Sequence, residues 1–155
     1  MHEEYMREAI RLAREAVTGD QGGPFGAVVV QDGQVVGRGW NRVTAENDPT
    51  AHAEVVAIRD ACARLGSYWL EGCVLYVNCE PCPMCLGAIY WARIHKVYYA
   101  GVAADAAAIG FADADIAQEL CRPIASRRLA MEQLLRAEAL PVFRLWEEKG
   151  DRLDY

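Results

Sequence analysis

Two short segments of the sequence contain residue types that can bind and use a metal ion. The first contains His52 and Glu54, and the second contains Cys82 and Cys85 within Cys-Glu-Pro-Cys-Pro-Met-Cys. One imidazole and two thiolates form a ligand set suited to Zn²⁺, and three protein ligands leave one tetrahedral position open, which is typical of a catalytic site. Glu54 lies two residues from His52 and is predicted to transfer protons rather than to bind the ion.

The elements that position these residues are predicted to be helices. Each segment runs into a stretch of helical character, over residues 51–65 and 84–93. A helix N-terminus offers unpaired N–H groups and a partial positive charge, which favour the thiolate over the thiol. Cys82 and Cys85 lie three residues apart, so both can point at one ion from the first turn.

Helices and strands alternate in the rest of the chain. Apolar residues from Met6 to Val17 recur at helical spacing and predict an amphipathic first helix that ends near Gly19. Asp32-Gly33 predicts a type I′ hairpin turn. The predicted strands are residues 25–30, 34–40, 73–77 and 96–100, and further helices are predicted over 113–120 and 138–149. Residues 126–135 favour a helix by propensity, yet they lie where another strand would complete the sheet.

This alternation predicts the fold class. Strands that alternate with helices are typical of layered α/β folds. We expect a three-layer α/β/α sandwich around a central mixed five-stranded sheet, in a single domain over residues 1–155. Internal repeats and linkers are absent from the sequence.

Composition narrows the classes of function. The chain has 155 residues and a formal net charge of −6, with a pI near 5.1. Nucleic-acid-binding domains are usually basic, so a nucleic-acid partner is disfavoured. The N-terminus lacks the apolar segment of a signal peptide, and no stretch approaches the about 18 apolar residues of a membrane span. We therefore expect a cytoplasmic protein with reduced cysteines.

Other interpretations of the cysteines remain open from the residues alone. Cys79 could act as a fourth ligand and close a structural zinc site, in a non-catalytic interaction module. Cys62, Cys73 and Cys121 lie among apolar residues and are predicted to be inert packing residues.

The motifs resemble the cytidine-deaminase-like superfamily, and within it the small guanine deaminases of bacteria. The resemblance includes Asn47-Asp48-Pro49-Thr50-Ala51-His52-Ala53-Glu54 and extends from Gly22 to the last residue. Its densest part is Cys79-Glu80-Pro81-Cys82-Pro83-Met84-Cys85, followed by Tyr90-Trp91-Ala92-Arg93. Together with that part, Gly110-Phe111-Ala112-Asp113 and the terminal Tyr155 favour guanine.

The resemblance implies one Zn²⁺ per subunit and hydrolytic deamination of a purine base, from guanine to xanthine and ammonia. It implies that Glu54 shuttles protons, Asn41 holds the purine and Phe25 helps to wall the base pocket. Asp113 and Tyr155 are implied to recognise the ring. From its place near a helix start, we add the backbone N–H of Ala53 as a group that can orient the substrate.

The same resemblance leaves alternatives for substrate and assembly. The chain is also similar to guanosine deaminases, and the shared core motifs occur in tRNA adenosine deaminases and cytosine deaminases. The scarcity of basic clusters argues against the tRNA enzyme. The family further implies a homodimer in which the C-terminal segment can swap between partners.

Overall fold

The structure is a computed structural model that describes residues 1–111 and 113–155. One residue of the Gly110–Asp113 motif, Ala112, therefore lies outside the described residues. In chain order the elements are α1 (His2–Thr18), β1 (Gly26–Gln31), β2 (Gln34–Trp40), α2 (Val43–Glu46), α3 (Ala53–Leu65), β3 (Val74–Cys79), α4 (Pro83–Trp91), β4 (Lys96–Gly101), α5 (Ala103–Ala108), α6 (Asp113–Leu120), a 3₁₀ turn (Ile124–Ser126) and α7 (Arg136–Glu148).

The sheet is mixed and has the strand order β2-β1-β3-β4. Strand β1 pairs antiparallel with β2 and β3, whereas β3 and β4 are parallel. The predicted mixed sheet is therefore confirmed, but five strands are not, since the described residues form four. Residues 127–135, which follow the 3₁₀ turn, are irregular, and residues 126–135 contain none of the β-branched side chains that favour strands.

Helices cover both faces of the sheet. Alternate residues of a strand point to opposite faces, and β1 separates its valines accordingly. Val29 packs in a core with α3 and α4 residues such as Ala57 and Ile89. Val28 packs in a second core with Leu12 of α1. The two cores define the layers α1, sheet, and α3 with α4, as the sequence predicts.

Helix α3 approaches strand β2 without intervening side chains. A Cβ atom built on Gly39 would lie 2.1 Å from the carbonyl oxygen of Ala53 and 2.4 Å from the backbone nitrogen of Ala57. Gly37 faces the next turn, where its Cβ would lie 2.4 Å from the Ala57 carbonyl oxygen. The first two turns of α3 therefore rest directly on the backbone of β2.

Local sequence signals place most elements correctly. Both residues of the Asp32-Gly33 turn have positive φ, at 49° and 78°, which confirms the type I′ hairpin. The bounds predicted for the strands and for the helices from residue 51 onwards lie within two residues of those observed, whereas α1 begins four residues before the predicted apolar pattern, at His2. The helix predicted from residue 51 begins at Ala53, because the Ala51 carbonyl accepts from the Arg42 N–H at 2.9 Å and His52 is extended.

The described residues divide into two compact units, Met1–Ala117 and Gln118–Tyr155. The first contains the sheet and both cores. In Gln118–Tyr155, all of whose residues are described, none is buried, and α7 contains Pro141. A single domain over residues 1–155 stays a prediction. None of the helices in the described part of the chain combines the length and the apolar character that a membrane span requires.

Candidate active site

Three potential metal ligands meet where two helices begin. His52 is the N-cap residue of α3 and Cys82 is the N-cap residue of α4, both in extended conformation. Pro83 follows at the first position of α4, where its fixed φ suits a helix start. Cys85 lies in the same first turn. The sulfur atoms of Cys82 and Cys85 each lie 3.5 Å from His52 Nδ1.

This geometry fits a tetrahedral zinc ion. Zn–S bonds of about 2.3 Å and Zn–N bonds of about 2.1 Å place sulfur and nitrogen ligands about 3.6 Å apart. The observed distances of 3.5 Å agree with that value. Within residues 1–111 and 113–155, these three residues form the one set of His, Cys, Asp or Glu side chains positioned to hold an ion, with ligand atoms within 4.8 Å of one another. Cys79 is outside this set, which argues against a closed four-ligand site.

Hydrogen bonds among the ligands shift their pKa values. The Cys85 thiol donates to the Cys82 sulfur, and this lowers the pKa of Cys82 to about 4. The same contact raises the pKa of Cys85, and the contact with Cys82 raises the pKa of His52. Cys82 is therefore the thiolate at neutral pH, the form that binds metal, and binding displaces the remaining protons.

Glu54 is a buried carboxyl group beside the ligands. It lies in the first turn of α3 and is only 6% exposed. Burial raises the pKa of Glu54, since removal from water disfavours the charged form. A carboxyl group in this environment can hold a proton and release it to a neighbouring group.

One cavity collects most of the side chains predicted for the site. It is lined by Phe25, Asn41, His52, Glu54, Cys79, Glu80, Cys82, Phe111 and Asp113. Asp113 begins α6, and burial raises the pKa of its carboxyl group, with a further contribution from Cys82. Two of the three metal ligands, the proton-carrying carboxyl and three predicted substrate residues thus share one space, while Cys85 is fully buried and does not line it.

Asn41 is held in a defined orientation. Its side chain is 6% exposed, and its Oδ1 accepts hydrogen bonds from the Gly23 N–H at 3.2 Å and the Val43 N–H at 3.3 Å. The backbone N–H of Asn41 donates to the Phe25 carbonyl at 3.0 Å. With its oxygen engaged by the backbone, the side-chain NH₂ group is the end of Asn41 that can donate to a ligand.

Two predicted substrate residues are not among those lining the cavity. Ala53 is fully buried at the first position of α3. Tyr155 belongs to the unit Gln118–Tyr155 and is 71% exposed, so its role stays a prediction. Sequence reasoning missed Phe111, Glu80 and Cys79 as lining residues, although Phe111 stands in the Gly110–Asp113 motif and the other two precede Cys82.

Comparison with known proteins places the chain in a family. The model of the cytidine and deoxycytidylate deaminase zinc-binding region matches residues 1–101. A guanine deaminase of Bacillus subtilis is 49% identical over 154 residues, which cover 99% of each chain. A crystal structure of guanine deaminase from that organism matches with a TM-score of 0.97, covering 100% of this chain and 99% of the other.

A more distant relative matches a smaller part of the chain. A tRNA-specific adenosine deaminase of Aquifex aeolicus is 42% identical over 100 residues, which cover 64% of this chain and 66% of that protein. The chain belongs to the cytidine and deoxycytidylate deaminase family of zinc-binding proteins, and its full-length similarity is to guanine deaminase.

Proposed function

We propose that the protein is a zinc-dependent guanine deaminase, which hydrolyses guanine to xanthine and ammonia. The observation that carries the proposal is the single cavity in which His52 and Cys82 meet Glu54, Asn41 and Asp113. The similarity to guanine deaminase over nearly the whole chain supports the choice of guanine, since the tRNA-specific relative matches over 64% of the chain.

The metal ligands and Glu54 have different roles in the proposed reaction: the ligands bind the ion and Glu54 transfers protons. His52, Cys82 and Cys85 would hold the zinc ion, which when bound lowers the pKa of a water molecule so that a nucleophile is available near pH 7. Glu54 accepts a proton from the attacking water and delivers it to a ring nitrogen beside C2. The same carboxyl then takes the proton of the hydroxyl group added at C2 and passes it to the amine. The bond from C2 to the amine nitrogen breaks, ammonia leaves and C2 becomes the carbonyl carbon of xanthine.

Asn41 and Asp113 would orient the purine. Guanine presents acceptors at O6 and N7, which suit the NH₂ group of Asn41. The ring N–H groups of guanine suit a carboxylate acceptor such as Asp113. Phe25 supplies an apolar wall, and the N–H of Ala53 at the start of α3 is a further donor near the reacting centre.

Ammonia release from a panel of substrates tests this proposal. We expect turnover with guanine to exceed that with guanosine, adenine and cytosine by at least about tenfold in kcat/KM. The measurement is coupled detection of ammonia with zinc-loaded protein. Preference for guanosine would reassign the substrate to a nucleoside, and inosine formation in tRNA without guanine turnover would favour the tRNA enzyme. Zinc binding without any ammonia release would favour a structural-zinc module.

We also propose a homodimer in the cytoplasm. The segment Gln118–Tyr155 exposes large apolar side chains, including Leu134 at 81%, Phe143 at 67% and Trp146 at 44%. Burial of such side chains stabilises association, and a second copy in which this segment is exchanged would cover them. A zinc site built on two thiolates suits a compartment that keeps thiols reduced.

Deletion of Tyr155 tests whether the C-terminus completes the substrate site. A terminal Tyr couples a ring that can cover a base with a hydroxyl and a carboxylate that can accept hydrogen bonds from guanine N–H groups. We expect the deletion to lower kcat/KM for guanine by at least about tenfold, or about 1.4 kcal/mol. Zinc content and melting temperature should stay nearly unchanged. Unchanged kinetics would reduce Tyr155 to a frayed end.

Mixed dimers test whether the tail is exchanged between subunits. The variant without Tyr155 and the Glu54→Gln variant are each expected to have reduced guanine deaminase activity when tested alone. If one subunit's tail serves the other's site, their heterodimer regains part of the activity. Failure to regain activity, in heterodimers shown by mass to have formed, would contradict the exchange.

A further inference from the structure

Phe111 forms an aromatic pair with Phe25 at the wall of the active-site cavity. The two ring centroids lie 4.8 Å apart at an interplanar angle of 85°, an edge-to-face contact. Both residues line the cavity, together with Asn41 and Glu54. Two aromatic rings at one wall offer apolar surface against which a flat heterocycle can pack.

The backbone at the end of α5 fixes the place of Phe111. The Phe111 N–H donates to the Ala106 carbonyl at 3.1 Å and the Gly110 N–H donates to the Ala107 carbonyl at 3.0 Å. Gly110 has a φ of 99°, so this is a Schellman motif with glycine in its left-handed position. The sharp end of α5 therefore directs the chain, and with it Phe111, back to the cavity.

The start of α5 is attached to the segment that carries the metal ligands. The Ala103 N–H donates to the Glu80 carboxylate at 3.0 Å, and the Glu80 N–H donates to the Gly101 carbonyl at 2.9 Å. Glu80 also lines the cavity. The Phe111 ring is thus supported by a helix whose two ends have defined partners.

Phe111 lies outside the part of the chain that matches the family model. The match to the family model, which describes the zinc-binding region of cytidine and deoxycytidylate deaminases, ends at residue 101. The metal ligands, Glu54, Asn41 and Phe25 all lie within that range. Of the residues that line the cavity, Phe111 and Asp113 lie beyond it. Determinants of which ring is accepted are expected among such residues.

We propose that Phe111 is a specificity-determining residue that forms the second aromatic wall of the base pocket and favours a flat purine ring. The inference rests on the proposed function, since it names a further substrate contact in the same site. Loss of base stacking weakens binding in the ground state and the transition state alike, so it raises KM more than it lowers kcat.

Steady-state kinetics with guanine test the role of Phe111. We expect Phe111→Leu, which keeps an apolar side chain but removes the ring, to raise KM about tenfold, with kcat changed by less than about threefold. Phe111→Tyr keeps the ring and should stay within about threefold of wild type in KM. Ile109→Ala is the matched control, because Ile109 is 63% exposed at the end of the same helix.

The readouts separate this inference from the proposed function. Zinc content and melting temperature identify any variant that fails to fold. Wild-type protein that does not deaminate guanine would contradict the proposed function. Wild-type activity together with an unchanged KM in folded Phe111→Leu would overturn the role of Phe111, as would an equal rise in KM for Ile109→Ala.

Discussion

Glu54→Gln is expected to keep zinc and the fold but to lower kcat by about 10²–10⁴-fold, the range attributed to general acid–base catalysis. The amide has nearly the shape of the carboxyl group but cannot accept a proton from water and deliver it to the substrate. Because the proposed reaction uses this carboxyl twice, the loss should lie towards the upper end of that range. Ammonia release and zinc analysis on the same sample measure both properties.

Glu71→Gln provides the control for the glutamate substitution. Glu71 is paired with Arg93 at 3.5 Å, and its side chain is 68% exposed, so the substitution should leave kcat near the wild-type value. If Glu54→Gln deaminated guanine at nearly the wild-type rate, the assignment of Glu54 as the proton shuttle would be wrong.

Removal of a zinc ligand should have the second large effect. Cys82→Ala and Cys85→Ala are each expected to lose the bound zinc and all measurable activity. Zinc present at about 100–1,000 times its Kd stabilises the folded state by about 2.7–4.1 kcal/mol. Since 1 kcal/mol corresponds to about 2–4 °C in a protein of this size, the melting temperature should fall by roughly 10 °C. Metal analysis by mass spectrometry and thermal unfolding measure the two effects.

Cys79→Ala distinguishes a three-ligand site from a four-ligand site. Cys79 is buried, and its thiol lies 3.8 Å from the Val102 carbonyl oxygen, so the variant should retain one zinc per subunit. Equal loss of zinc in all three cysteine variants would instead support a closed structural site.

The zinc ligands could be predicted from the sequence because their signal is local. The spacing of Cys82 and Cys85 and the prolines around them define a helix start within a few residues. Joining His52 to this pair required only that both segments begin helices on one sheet. The hairpin at Asp32-Gly33 was predictable for the same reason, since two adjacent residues determine the turn.

The other residues that line the cavity were not predictable in the same way, because their positions depend on how segments distant in sequence pack together. The segment of α5 is Ala-Ala-Asp-Ala-Ala-Ala, which has no apolar periodicity to show which face packs inward. The approach of Phe111 to Phe25 follows from the left-handed Gly110 and from backbone contacts with Glu80. The fifth strand was predicted from the expected completion of the sheet rather than from residue type, and residues 127–135 form neither a strand nor a helix.

Because Gly39 contacts the first turn of α3 directly, a change at this position acts on a metal ligand and on the proton carrier at the same time. His52 and Glu54 flank Ala53, whose carbonyl oxygen would lie 2.1 Å from a Cβ at position 39. One added methyl group at position 39 therefore forces β2 and the first turn of α3 apart, and we expect His52 and Glu54 to shift together relative to Cys82 and Cys85 on α4. A biochemist who encountered such a variant would measure weakened zinc affinity and slow turnover at once, although the altered residue is neither a ligand nor a lining residue of the cavity.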